Sequence, residues 1–490
     1  MSDIKEYLMK IVGTENVADD IDTLEAYSKD KSFTKPIKPR FVVKVGNAEQ
    51  VQELVRWANG TNTPLVPVSS GGSHHRGDTV PGVPEAVVVD LSGMKKIISI
   101  NKTHRIAIIE PGVTYAELQE ALFNEGLTLP TSLAPRAEKS VLTSLLEIEP
   151  RLNALHQWCF LDPLRCVEVT WGDGNRMYTG EAGGGVMDLE KQWEQEKWQW
   201  EPTGPMMLDY YRMLTGAQGT MGIATWASVK CELLPEIHKM YLVPANKLED
   251  LIDFAYRIIR FRFTDEFMLM NGPYLASLLG NTREEIISLR AMLPPWVAIV
   301  GIAGRNLLPE DRVAAQEADI FEMAQEFGLE MKPAVEGATG MDVLNAITNP
   351  AKGTYWKDSF KGTYQDIFFS TTLDRTPKFI KEMLGLCLET GYPISDIGIY
   401  LQPQNMGTSY HCEFTIPYDQ ENSIELNKVK NLFVNASQSF STLGAYYLRP
   451  YGIWSKLQMN RDAQSMSTIK RLKRIFDPNE IMNPGKLTNY

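Results

Sequence analysis

The stretch Pro64-Leu-Val-Pro-Val-Ser-Ser-Gly-Gly-Ser-His-His-Arg-Gly-Asp-Thr-Val-Pro81 sets the reading of this chain. Leu65–Val68 is a short apolar run that empties into a turn holding Gly71, Gly72 and Gly77. Two further strand-like runs follow at close spacing, Ala86-Val-Val-Val-Asp90 and Arg105-Ile-Ala-Ile-Ile-Glu-Pro-Gly-Val-Thr114. A strand that ends in glycines lets backbone N–H groups approach an anion with no side chain in the way. On this fragment alone an ordinary glycine-bearing loop reads the same, so the surrounding segments decide.

Upstream, Phe41–Val45 reads as a strand. Ala48–Asn59 carries apolar residues at 51, 54, 55 and 58, the spacing of an amphipathic helix, closed by Asn59-Gly60. The start is therefore β-α-β. Downstream, Tyr115–Asn124 is a second amphipathic helix, and Arg165–Thr179 is a hairpin around an Asp-Gly turn. Residues 181–205 are loop-rich, with three tryptophans at 193, 198 and 200. The run Gly216-Ala-Gln-Gly-Thr-Met-Gly222 then places three glycines ahead of a strand at 226–233. From about residue 242 longer helices (248–261, 312–327) alternate with strands (297–303, 397–402, 412–417), which puts a domain boundary near 240. A helix over 421–440 and a last one over 465–476 lead into Asp477-Pro-Asn-Glu-Ile-Met-Asn-Pro-Gly-Lys486.

The chain is long enough, at 490 residues, for two or three domains with a sizeable core, and 43% hydrophobic with 22% charged residues is globular composition. A net charge of −12 argues against nucleic acid as the partner. No apolar run is long enough to span a bilayer, and the polar, acidic start is neither a secretory signal nor a transit peptide. A cytoplasmic location is the expectation. The five cysteines are scattered, with no C-x-x-C pair, which disfavours a disulfide framework or a zinc or iron–sulfur site.

Four separated segments agree on one family: the glycine loop before Pro81, Glu110-Pro-Gly-Val-Thr-Tyr115, Gly216–Gly222 and the closing Phe476-Asp-Pro-Asn-x-x-x-Asn-Pro-Gly485. In this order and spacing the chain resembles the FAD-linked oxidases with a vanillyl-alcohol-oxidase (PCMH) type FAD-binding domain. The resemblance implies an α+β fold. A two-part FAD-binding domain would occupy residues 1–240, with 450–490 returning to it. An α/β cap with an antiparallel sheet would occupy 241–449 and carry substrate residues. It implies FAD, whose pyrophosphate needs several convergent N–H donors. The expected FAD contacts are Pro67, Ser69, Ser70, Gly71, Gly72, Ser73 and His74 in the first loop, and Pro111, Gly112 and Ser140 beside it. Gly216, Gly219, Thr220, Gly222 and Ile223 follow in the third motif, and Asn483 near the end. Some relatives attach FAD through a histidine, but the aligned position is Ser73, so non-covalent FAD is expected.

Within the family, 2-hydroxyacid dehydrogenases carry histidine-rich metal motifs in the cap. Only His238 and His411 lie beyond residue 180 here, and no metal is expected. Gly398-Ile-Tyr-Leu-Gln-Pro, Tyr410–Tyr418 and Gly444–Tyr447 are closer to the branch that oxidises para-substituted phenols. There the phenolate is held by two tyrosines and an arginine. Arg76 falls at the first tyrosine, Tyr446 at the second and Tyr447 at the arginine, with Arg449 two residues on; a flavin-assisting carboxylate falls at Cys159. The family's second glycine-rich loop reads Pro135-Arg-Ala-Glu-Lys-Ser-Val-Leu-Thr143, without glycine. The expected activity is FAD-dependent oxidation, by hydride transfer, of a small, anionic, hydroxylated aromatic substrate. Arg76, Tyr446, Tyr447, Arg449, His411 and Cys159 are the candidate catalytic residues. A catalytically weakened paralogue serving an electron-transfer complex, and a 2-hydroxyacid dehydrogenase without the metal motif, are the alternatives. Expected partners are the substrate, an electron-acceptor protein where oxygen is not the acceptor, and further copies or subunits.

Overall fold

The computed structural model describes residues 2–152, 162–183 and 188–487. Strands β1 (Phe41–Lys44), β2 (Leu65–Val68) and β3 (Val87–Asp90) make a parallel sheet in the order β1-β3-β2. The short strand Val17–Ala18 pairs antiparallel with its β1 edge. Burial on both faces explains the unbroken valine run of β3, in which Val87, Val88 and Val89 are all inaccessible. The connecting helix, Ala48–Thr61, buries Val51, Leu54, Val55 and Ala58 as its spacing predicts, and Asn47 caps its first turn. It runs past the expected stop at Asn59-Gly60 and ends instead at Asn62, which takes the left-handed conformation that asparagine tolerates.

A second sheet is antiparallel, with β4 (Ile97–Asn101), β5 (Ile106–Ile109), β6 (Leu164–Trp171), β7 (Arg176–Tyr178) and β8 (Gly222–Lys230) in the order β4-β5-β8-β6-β7. The C-terminal segment returns to this half of the molecule. Leu65 N–H donates to Ile481 O and Asn483 N–H to Leu65 O, each at 2.8 Å. The buried Lys473 ammonium donates to Thr220 O (2.6 Å) and to the Asp477 carboxylate (2.8 Å).

The third sheet is antiparallel and six-stranded. It contains β9 (Ile237–Ala245), β10 (Phe267–Asn271), β11 (Trp296–Gly304), β12 (Thr363–Thr371), β13 (Gly398–Gln404) and β14 (Ser409–Tyr418), ordered β9-β11-β10-β13-β14-β12. Strand periodicity divides its last three strands cleanly. Phe369, Leu401, Cys412 and Phe414 join a core with Phe379 and Phe440, which come from the helices Thr376–Thr390 and Ser423–Leu443. The opposite face carries polar and aromatic residues in register: Asp366 opposite Thr415, Phe368 and Tyr400 opposite Glu413, and Gln402 opposite His411. This polar face closes over the glycine loop. No helix among the described residues is long and apolar enough to cross a membrane.

Candidate active site

The cofactor cleft is assembled where the first two sheets meet. Pro67, Ser69, Ser70, His74, Pro111, Gly216, Gly219, Gly222, Ile223 and Asn483 line one continuous cleft. Gly219, at φ +70°, lies so close to the end of β2 that a Cβ there would stand 2.5 Å from Pro67 Cγ. Glycine is required at that contact. Gly112, Ser140 and Thr220 act from behind. Carbonyls of Ser92 and Met94 lie 2.6 and 2.7 Å from where a Gly112 Cβ would sit; Ser140 Oγ donates to Pro111 O (2.5 Å) and Thr220 Oγ1 to Ala217 O (2.8 Å). The backbone N–H groups of Gly71, Gly72, Ser73 and His74 have no acceptor among the described residues, and both glycines are exposed. Asn483 Oδ1 is buried and unpartnered. Free N–H donors on the glycine turn, beside a long cleft with an orphaned amide oxygen, fit FAD.

Ser70, His74, Asp78 and Glu147 also line a second cavity, which runs from this cleft to the polar face of the cap sheet. On the near wall sits a closed charge cluster. Arg76 donates to Glu147 (2.5 Å) and Glu149 (2.7 Å), and Lys139 donates to the same two carboxylates at 2.7 Å each. Ser144 Oγ adds a 2.5 Å bond to Glu149. Burial pushes the Glu149 carboxyl up, but Lys139 and Arg76 outweigh it and hold it well below the usual range. Asp78 has no such partner among the described residues, and burial, then Glu147, push it up to about 6.

On the far wall Lys357, buried among the rings of Tyr274, Trp356 and Tyr364, donates to Glu413 (2.6 Å) and Asp366 (2.8 Å). Glu413 also accepts from Tyr274 OH (2.8 Å) and contacts His411 Nε2 at 3.2 Å. One ammonium serves two carboxylates, and they separate in consequence. Burial opposes ionisation of both, yet Lys357 holds Glu413 far below its ordinary value, whereas burial and then the Glu413 charge push Asp366 up to about 6. His411 is pushed down by burial, against the pull of Glu413.

Arg449 completes the pocket. It is 6% exposed, lies 4.0 Å over the Phe368 ring, and has no carboxylate partner among the described residues; its Nη1 is buried without an acceptor there. Burial, then Arg76, lower its pKa to about 10. Arg449 and Arg136 are the cavity-lining cations that no carboxylate pairs among the described residues, and Arg449 is the more deeply buried of the two.

The candidate catalytic residues therefore part company. His411, Arg449 and Arg76 line the cavity. Arg76 is not the free cation the sequence suggests, because Glu147 and Glu149 already neutralise it. Tyr446 is 48% exposed and is not among the cavity-lining residues; its backbone pairs with Ser370 of β12. Tyr447 points into the core, stacked on Trp454 at 5.1 Å with its hydroxyl donating to Ser437 O (2.8 Å). The two tyrosines thus fix the turn that delivers Arg449, two residues on. Cys159 lies outside the described residues. Sequence reasoning missed Lys357, Asp366, Glu413 and Tyr274. A signal existed for one of them: Glu413 is two residues from His411 on a strand, hence on the same face.

Residues 39–141 match the FAD binding domain family and residues 453–487 the C-terminal domain of FAD linked oxidases. The chain is 22% identical to D-2-hydroxyglutarate dehydrogenase of Stutzerimonas stutzeri, covering 98% of this chain and 97% of that one. It is also 22% identical to the flavoprotein subunit of 4-cresol dehydrogenase (hydroxylating) of Pseudomonas putida, over 97% and 93%. Its fold superposes on p-cresol methylhydroxylase with substrate bound at a TM-score of 0.82, with 17% identity and coverage of 99% and 96%. With an FAD binding domain matched at residues 39–141 and the C-terminal domain of FAD linked oxidases matched at 453–487, the chain is an FAD-dependent dehydrogenase or oxidase.

Proposed function

We propose that the cavity between the glycine loop and the cap sheet oxidises a small, flat, hydroxylated anion, with Arg449 as its charge receptor. The division that goes with this reading is an FAD-binding domain of residues 1–240 and 450–490 and a cap of residues 241–449. The unpaired guanidinium of Arg449 carries the proposal: a buried cation without a counter-charge costs stability unless an anion arrives to pair with it. The rings of Tyr274, Trp356, Tyr364 and Tyr400 line the same space and suit an aromatic substrate, in line with the 4-cresol relative rather than the 2-hydroxyglutarate one. FAD, when bound, supplies the two-electron acceptor. The chain's own part is to bind, orient and deprotonate. Arg449 stabilises the anion, the aromatic walls exclude water, and the Asp366–Lys357–Glu413–His411 set takes the hydroxyl proton. Asp366 is the acceptor, because a carboxyl poised near 6 is ionised at neutral pH yet basic enough to receive a proton.

The sign of the pH dependence follows. Asp366 is competent only when ionised, so kcat/KM is expected to climb as pH rises through about 6 and to level off above it. Asp366→Asn should remove that limb and lower the plateau by about a hundredfold. A pH profile of the variant that keeps the wild-type limb near 6 would move the proton acceptor elsewhere.

FAD is proposed to be held without a covalent bond, since the position aligned with the linking histidine is Ser73. Acid precipitation of the holoprotein should leave the yellow cofactor in the supernatant. Colour retained in the pellet, on a peptide containing His74 or His75, contradicts this.

A further inference from the structure

The second flavin loop, Pro135–Thr143, has lost its glycines, and the structure shows where its backbone donors have gone. Ala137 N–H donates to Ala351 O of the cap (2.9 Å) and Lys139 N–H to Arg136 O (3.1 Å). Ser140 N–H donates to Ser70 Oγ (3.2 Å), Val141 N–H to Val113 O (3.0 Å) and Thr143 N–H to Ser140 Oγ (3.0 Å). These five amides are consumed by the fold, so they are not available to a phosphate. The first loop is the reverse: the four N–H groups of Gly71 to His74 are uncommitted.

What the second loop presents to the first is a side chain. Arg136 reaches across it, its guanidinium donating to Ser73 O, and Nη1 stands 3.1 Å from the point a Gly72 Cβ would occupy. No carboxylate pairs with Arg136 among the described residues. The exposed Glu138 carboxylate stands 3.0 Å from the same point, and the Asp358 carboxylate also feels the Arg136 charge. We infer that Arg136 is the pyrophosphate-neutralising residue of this protein, closing over a diphosphate seated on the Gly71–His74 amides. A guanidinium facing a diphosphate forms charge-assisted, bidentate contacts that backbone amides do not match in charge. The inference rests on FAD occupying the neighbouring cleft, since Arg136 itself lines the adjoining cavity at the glycine turn. It adds that cofactor affinity here depends on a side-chain charge and therefore on salt.

The test is a binding titration of the deflavinated full-length chain with FAD and with riboflavin, which lacks phosphate, followed by flavin fluorescence at low and high salt. Arg136→Gln keeps a donor for Ser73 O but removes the charge. It should raise the Kd for FAD by about tenfold or more, leave the Kd for riboflavin unchanged, and flatten the salt dependence. Arg136→Lys should recover part of the loss, and Glu138→Gln should tighten FAD a few-fold. An Arg136→Gln variant that binds FAD as the wild type does, or that loses FAD and riboflavin equally, overturns the inference while leaving the cleft assignment standing. A wild-type chain that binds neither ligand overturns both.

Discussion

Arg449→Met is expected to lower kcat/KM by at least about a hundredfold while FAD content stays normal and thermal stability does not fall. Two terms set this result. The first is functional: a buried guanidinium paired with a substrate anion is a desolvated, charge-assisted contact, and a hundredfold loss corresponds to about 2.7 kcal/mol of transition-state stabilisation. The second is structural and has the opposite sign. Arg449 is 6% exposed and has no carboxylate partner among the described residues, so the resting protein bears the cost of desolvating it. Methionine, of similar length and apolar, relieves that cost and keeps the packing over Phe368, so the melting temperature should hold or rise. Activity falling while stability holds marks a residue kept for its ligand. Steady-state kinetics and a melting curve on one preparation check it; an unchanged kcat/KM would remove Arg449 from the site.

Arg76→Ala should behave in the contrary way. Its guanidinium bonds two carboxylates, the buried Glu149 and the half-buried Glu147, which Lys139 alone would then have to balance. Removing one partner of a buried ion pair costs about 3–5 kcal/mol, because the surviving charge stays desolvated. A drop in melting temperature of roughly 5 °C is the expected readout. The same variant with Glu147→Gln added should regain part of it, since a neutral amide no longer needs the second cation. Stability equal to the wild type would mean that the cluster contributes nothing, and would return Arg76 to the role of a free substrate cation.

These opposite expectations show what the sequence made legible. The FAD-binding half declared itself locally: the Leu65–Val68 strand, the glycines that follow it and Gly216–Gly222 are backbone requirements, and glycine spacing records such requirements directly. Ten of the residues expected to contact FAD line the cleft. The substrate side did not declare itself in this way. Thr363–Thr371 mixes polar and aromatic residues because both its faces are buried, one against helices and one against the cavity, so it lacks the apolar–polar alternation of a half-exposed strand. Asp366 was therefore invisible as a site residue. Lys357 lies in a loop and meets Glu413, 56 residues on, only through the sheet. Arg76 and Arg449 are indistinguishable as letters. What separates them is two glutamates at 147 and 149 that fold onto the first and not the second, a pairing across about seventy residues that spacing alone does not encode.

The account turns on an anion meeting Arg449 beside bound FAD. The most direct measurement titrates FAD-loaded protein, without oxygen, with 4-hydroxybenzyl alcohol, 4-hydroxybenzoate and a D-2-hydroxy acid, and follows the flavin band near about 450 nm. The prediction is that at least one anionic aromatic compound perturbs or bleaches the band saturably in the wild type, and that Arg449→Met abolishes the response with its FAD intact. A wild-type protein that holds FAD yet answers none of these compounds, or an Arg449→Met variant that responds with unchanged affinity, would contradict it.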